Sequence, residues 1–219
     1  MRLVDLTQPY RQGDVSEIGA VDVARLKAMD TDGMNTSAFT IETHHVTHLD
    51  APIHLVRDGR GIADFELRDL SGPAVCLRAR RGGGEAITTE ELQSQEPAVQ
   101  VGDIVFINTG WNQYFGVDLT QYLFSPYLSA DAVDWLLSRK VKVVGVDGPT
   151  PEMPRPLRPP GFNFPVHQAF LGSGTLICEH MTNLDQLAGR RFRAYLFPLP
   201  LMDGDGSPVR AVAELDDGD

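Results

Sequence analysis

The chain has 219 residues, with 19 Lys and Arg against 30 Asp and Glu, a formal net charge of −11, and 42% hydrophobic residues. That is ordinary composition for one globular domain. The acidic balance lacks the basic footprint of a nucleic-acid binder and repels an anionic membrane surface.

Cys76 and Cys178 are too few for a disulfide framework. Asp5 interrupts the start of the chain where a signal peptide needs an apolar run. The longest apolar run, residues 196–202, falls far short of the ~18 residues that span a bilayer. A soluble, cytoplasmic protein is the expectation.

In chain order, short runs rich in Val, Ile, Leu and Phe predict strands at residues 2–6, 37–43, 74–78, 103–108, 141–147, 175–178 and 193–198. Thr88 with Glu91 three residues on forms a capping box that starts a helix. Ser129 reads as the N-cap of another, running through Arg139. Ala132, Val133, Leu136 and Leu137 line one of its faces. Asp131 and Asp134 near its start and Arg139 and Lys140 at its end suit the helix dipole. Residues 149–165 hold seven prolines, which rules out a helix or central strand and predicts a long ordered loop of the kind that forms lids or binding sites. Pro165 suits the first turn of a short helix carrying His167, and residues 183–187 suggest a further short helix. The acidic tail, residues 214–219, is expected to fray. Strands outnumber helices without strict alternation. The expectation is one mixed α/β domain over residues 1–219 with a largely antiparallel sheet and helices packed on it.

Four of the six histidines (His44, His45, His48 and His54) fall within eleven residues. His44, His48, Asp50 and His54 share parity, so an extended chain turns them to one side, with Leu49, Ala51 and Ile53 towards the core. Pro52 predicts a bend after Asp50 that returns His54 to the others. Imidazole and carboxylate without thiolate suit zinc, manganese or Fe(II). A catalytic zinc needs three protein ligands and an open position. Clustered imidazoles are costly unless neutral and coordinated, and Asp50 supplies the missing negative charge.

His45, of odd parity, reads as a bystander or a supporting residue. One segment cannot close such a site. His167 on its short helix and Glu179 ending a strand-like run are the candidates for completing it; packing, capping or an ion pair are their ordinary alternatives. His180 would point away from Glu179 if that strand continued.

The run His44-x-x-Thr47-His48-x-Asp50-x-Pro52-x-His54 resembles the signature of the metal-dependent cyclase family, with Val46 where that family has glycine. Val4-Asp5-Leu6-Thr7, Asn108-Thr109-Gly110-Trp111, Gly145-Val146-Asp147 and the ending 205–211 extend the resemblance over most of the chain. It implies a swivelling β/β/α fold and a homodimer or homotetramer. By the same resemblance His44, His48 and Asp50 are ligands of a first metal, zinc or manganese. Asp50 and Glu179 bridge to a second metal held by His167 in members with two, and His54 is the general acid/base.

The reaction implied is metal-assisted hydrolysis of an amide, lactam or lactone. A cyclase or dehydratase using the same site is the alternative. Residues 13–19 carry no aromatic side chain, where a member acting on an aromatic formamide carries a tryptophan. The loop near Glu152, with Arg155, Arg158, Phe162 and Phe164, offers another wall for a substrate. An Fe(II) oxygenase reading, built on His48-x-Asp50 and His167, leaves His44, His54 and Glu179 without roles. A purely structural zinc site would ordinarily be closed by thiolates, and neither cysteine neighbours the histidine cluster.

Overall fold

The structure, a computed structural model, describes residues 1–11 and 21–216. Its strands are β1 (Arg2–Asp5), β2 (Asp22–Lys27), β3 (Thr36–Thr40), β4 (His48–Asp50), β5 (Ser71–Arg78), β6 (Ala86–Ile87), β7 (Ile104–Asn108), β8 (Tyr127–Leu128), β9 (Val143–Val146), β10 (Leu176–Glu179), β11 (Arg190–Pro198) and β12 (Gly206–Leu215). Its helices are α1 (Met29–Asp32), α2 (Thr89–Gln93), α3 (Leu119–Leu123), α4 (Ala130–Ser138) and α5 (Pro165–Ser173).

Eight strands form one mixed sheet in the order β1-β12-β11-β5-β7-β9-β10-β4, and β4 also pairs with β12, which closes the sheet into a barrel. The pairings of β12 with β1, β11 and β4, of β11 with β5, and of β10 with β4 are antiparallel. The ladders β5–β7, β7–β9 and β9–β10 are parallel. Parallel neighbours need crossover connections, and these supply α2, α3, α4 and α5. The β2–β3 and β6–β8 pairs stand apart from this sheet.

Side-chain alternation splits the core in two. Ala74, Cys76, Ile104, Phe106, Val143 and Cys178 belong to one buried cluster. Their neighbours Val75, Leu77, Val105, Ile107, Val144 and Ile177 belong to the other, with Leu92 of α2, Leu136 of α4 and Phe170 of α5. The first fills the barrel and the second lies beneath the helices. Gly145 shows how tight the interior is. A Cβ there would sit 2.5 Å from Met181 Sδ and 2.5 Å from the Phe106 ring. Among the described residues no helix is long and apolar enough to cross a membrane.

Several local expectations change. Residues 214 and 215 do not fray. They end β12, where Leu215 pairs with Arg2 and Tyr195 Oη donates to Glu214 at 2.6 Å. Residues 217–219 and the aromatic-free stretch 13–19 lie outside the described residues. Thr88 accepts from the Glu91 amide at 3.5 Å. Ser129 occupies the N-cap of α4, but its hydroxyl donates to the Ile87 carbonyl at 2.9 Å instead of capping. Residues 183–187 make one 3-10 turn, Leu184–Gln186, and the proline-rich loop contains another, Arg155–Leu157. Both cysteines are free and buried.

Candidate metal centre

β4 lies between β10 and β12. Asp50 faces Ile177, Leu49 faces Cys178 and His48 faces Glu179. Residues directly opposite one another share a face of the sheet. Leu49 and Cys178 therefore turn into the barrel, while His48, Asp50 and Glu179 turn outward under α5, which carries His167. Pro165 occupies the first turn of α5, where its missing N–H costs nothing.

Only residues 48–50 of the histidine segment are extended. The chain before them bends through Val46, at φ +59°, a left-handed conformation that disfavours a β-branched residue. This is the position where the cyclase signature has glycine. After the strand, Pro52–His54 is a 3-10 turn. His44 and His54 thus reach the site by turns and not by alternation. Leu49 and Ala51 are fully buried, but Ile53 is exposed, contrary to the parity expectation.

The six candidate residues come together. His44 Nδ1 lies 2.7 Å from Asp50 Oδ1, and His48 Nε2 lies 3.1 Å from the same oxygen. Asp50 Oδ2 faces His167 Nε2 at 3.5 Å. Glu179 spans the same gap, with Oε1 3.2 Å from His167 Nε2 and Oε2 3.5 Å from His48 Nε2. The His54 ring stacks tilted on His44, with centroids 4.0 Å apart, and its Nδ1 lies 3.7 Å from Asp205 Oδ2.

His48, Asp50, His167 and Glu179 are buried; His44 and His54 are partly open, the His54 side chain being 30% exposed. Gly206, opposite Asp50 on β12, makes room for His44. A Cβ there would meet His44 Cε1 at 2.7 Å and the Leu49 carbonyl oxygen at 2.8 Å.

The donors fit a divalent cation. His48 Nε2, Asp50 Oδ2 and Glu179 Oε1 are buried and none makes a hydrogen bond, a costly arrangement unless another partner completes it. Ligand atoms of His44, His48 and Asp50 lie within 4.8 Å of one another, as do those of Asp50, His167 and Glu179. Nitrogen and carboxylate oxygen without thiolate suit zinc, manganese or iron.

The charges are tightly coupled. Burial opposes ionisation of Asp50, but the His48 charge and the neighbouring His167 and His44 imidazoles hold its carboxyl well below the usual range. Burial likewise opposes charge on His44, but Asp50 and Asp205 push its pKa up to about 9. Burial and the His44 charge push His54 down, keeping it neutral at pH 7.

Three further residues belong to this neighbourhood. Asp205 Oδ2 is 3.0 Å from His44 Nε2. Glu152, fully buried, accepts the His167 backbone N–H at 2.9 Å and lies 3.1 Å from its Nδ1. His180 departs from the expected direction, which is away from Glu179. At φ +55° the chain turns as β10 ends, which places His180 beside His48, with ring centroids 5.7 Å apart. Tyr122 Oη lies 2.9 Å from its Nδ1. Burial, then the charges of His48 and His45, push His180 well below its ordinary pKa. His45 is buried and stands outside these clusters of metal-ligating groups. In sequence, Glu152 was visible only as a member of the proline-rich loop, and Asp205 only as part of the ending shared with the family.

Known proteins match this chain in sequence and in fold. The Cyclase family model matches residues 4–153. A kynurenine formamidase from Erythrobacter litoralis is 30% identical, over 96% of this chain and 93% of that one. One from Bacillus cereus is 28% identical over 95% of each chain. The fold superposes on isatin hydrolase A from Ralstonia solanacearum with a TM-score of 0.87 at 24% identity, covering 98% of this chain and 92% of that chain. With more than half its length matched by the family model and a relative at 30% identity along its length, this chain belongs to the Cyclase family.

Proposed function

We propose that this protein is a metal-dependent hydrolase of a small carbonyl compound, cleaving the C–N or C–O bond of an amide, lactam or lactone. The observation that carries the reading is the convergence of unpartnered buried ligand atoms around Asp50, one oxygen of which faces His44 and His48 while the other faces His167. His44, His48 and Asp50 would hold a first ion, zinc or manganese. His167 would hold a second, with Asp50 and Glu179 between the two. An ion bound there supplies a water of lowered pKa, about 7 on zinc, and polarises the substrate carbonyl.

The chain's own residues do the rest. His54 is neutral at pH 7 and stands at the open side of the cluster. With Nδ1 directed at Asp205, its Nε2 takes a proton from the attacking water and returns it to the leaving nitrogen or oxygen. Asp205 keeps His44 oriented at 3.0 Å, and its Oδ2 lies 3.7 Å from His54 Nδ1. Glu152 fixes the His167 ring. Phe164 stands over His167 with ring centroids 6.2 Å apart and is 39% exposed, an apolar wall for a substrate. The reading carries with it a cytoplasmic homodimer or homotetramer with no nucleic-acid or membrane partner, as the acidic charge and the family resemblance imply.

The test is metal content together with turnover of amide, lactam and lactone panels. A His54→Ala protein should keep its metal and lose about 10²–10⁴-fold in rate. Full activity in that variant would sink the acid/base role, and a wild-type protein that binds no divalent ion would sink the whole reading.

A further inference from the structure

Resting on the metal-dependent reading above, we propose that the centre has a ligand beyond those the family resemblance implies. It is His180, which joins His48 and Glu179 around the ion on the His48 side. Ligand atoms of His48, Glu179 and His180 lie within 4.8 Å of one another, and all three residues are buried. Donors on opposite sides of a zinc ion stand about 4 Å apart, so shifts of less than about 1 Å close this group on a cation. His48 Nε2 and Glu179 Oε1 have no hydrogen-bond partner, a costly state for buried polar atoms.

His180 is held as the other ligand imidazoles are. A histidine ligates through one ring nitrogen, and an oxygen ordinarily holds the second and fixes the ring. His48 Nδ1 lies 2.8 Å from the Val46 carbonyl oxygen, His167 Nδ1 3.1 Å from Glu152 Oε1, and His44 Nε2 3.0 Å from Asp205 Oδ2. His180 Nδ1 lies 2.9 Å from Tyr122 Oη. With Nδ1–H donated to that oxygen, Nε2 keeps its lone pair for the ion.

The backbone bends to make this placement. A continued strand would send residue 180 to the face opposite Glu179. Instead the chain takes φ +55° at His180, a left-handed conformation that disfavours residues with a Cβ. The turn is tied at both ends. The His180 amide donates to the Gly148 carbonyl at 3.0 Å, and its carbonyl accepts from the Thr47 hydroxyl at 2.7 Å. Thr47 directly precedes His48, so the bond that holds the turn also holds it against the ligand strand. The two rings end with centroids 5.7 Å apart.

Cobalt(II), whose visible spectrum reports its ligands, is titrated into the protein after chelation. His180→Asn removes the imidazole and keeps a residue that tolerates the left-handed turn. It is expected to change the cobalt spectrum and to weaken binding by at least about tenfold, since even groups that only orient a ligand contribute 10–100-fold. Tyr122→Phe should weaken binding and retain the wild-type spectrum. An unchanged spectrum in His180→Asn, with or without weaker binding, would overturn His180 as a ligand. A wild-type protein that gives no cobalt spectrum would instead overturn the metal-dependent reading itself, which separates the two failures. If His180→Asn fails to fold, the histidine ring ¹⁵N shifts of the zinc-loaded wild-type protein decide. A zinc-bound nitrogen is expected on His180 beside those of His44, His48 and His167, and a His180 Nε2 that keeps its metal-free shift would overturn the assignment.

Discussion

Glu152 grips His167 twice, accepting its backbone N–H at 2.9 Å and lying 3.1 Å from its Nδ1. A proton on Nδ1 leaves the Nε2 lone pair directed at Asp50 and Glu179. Carboxylates that orient a ligating imidazole in this way typically contribute 10–100-fold to metal affinity. Glu152→Ala should therefore weaken binding at the His167 position by about that factor, measured by competition with a chelator. Glu152→Gln, which keeps an acceptor oxygen, should recover most of the loss. Unchanged affinity in Glu152→Ala would show that the packing of α5 alone sets the ring.

Asp50 divides its oxygens between two groups, Oδ1 towards His44 and His48 and Oδ2 towards His167. The variants should differ in stoichiometry. His167→Ala should retain an ion at the His44 and His48 side, and Asp50→Ala should retain none. Elemental analysis after gel filtration reads this directly. An Asp50→Ala protein that purifies with a full complement of metal would remove Asp50 from the ligand set.

The histidines also set how the metal-free protein responds to pH. Burial disfavours charge on His44, but Asp50 and Asp205 raise its pKa to about 9, and His48 and His167 shift in the same direction for similar reasons. An unfolded histidine titrates near ~6.5. A raised folded pKa gives stability that is complete below the unfolded value and is lost as pH climbs through the folded one. The Tm of the metal-free protein should therefore fall between pH ~6.5 and about 9. Metal binding needs these imidazoles deprotonated, so the loaded protein should show no such fall. Parallel curves for the two forms would contradict this account of the site.

Much of the site was legible in sequence because its chemistry is dense and local. His44, His48, Asp50 and His54 lie within eleven residues, and the parity rule holds where the chain is a strand, at His48 and Asp50. It fails on either side, where Val46 turns left-handed and Pro52 starts a 3-10 turn. Convergence still follows, because the turns fold His44 and His54 back over the strand. His180 was misdirected by the same rule, since alternation stops where the chain takes φ +55°.

The partners that depend on sheet topology were not legible. Asp205 meets His44 across 161 residues because β12 pairs with β4, and no local pattern announces that pairing. β12 itself escaped although Val209, Ala211, Ala213 and Leu215 alternate with more exposed positions. Gly206 and Pro208 disguise its start, and its acidic end reads as a tail.

Gly206 tests that topology at the metal centre. It sits opposite Asp50 with no side chain, and a Cβ would come within 2.7 Å of His44 Cε1 and 2.8 Å of the Leu49 carbonyl oxygen. The first contact is with a ring that can tilt, the second with backbone in the β4 ladder. Gly206→Ala must therefore spread β4 from β12 or push His44 off Asp50. Overpacking of this kind costs typically 1–3 kcal/mol, so a Tm drop of several degrees is expected together with weaker metal binding. His44→Ala in the same background should recover part of the Tm, because it removes one of the two clashing groups, while leaving metal binding impaired. If Gly206→Ala instead matches the wild type in both Tm and metal affinity, the close approach of His44 to β12 is not what holds that imidazole in the site.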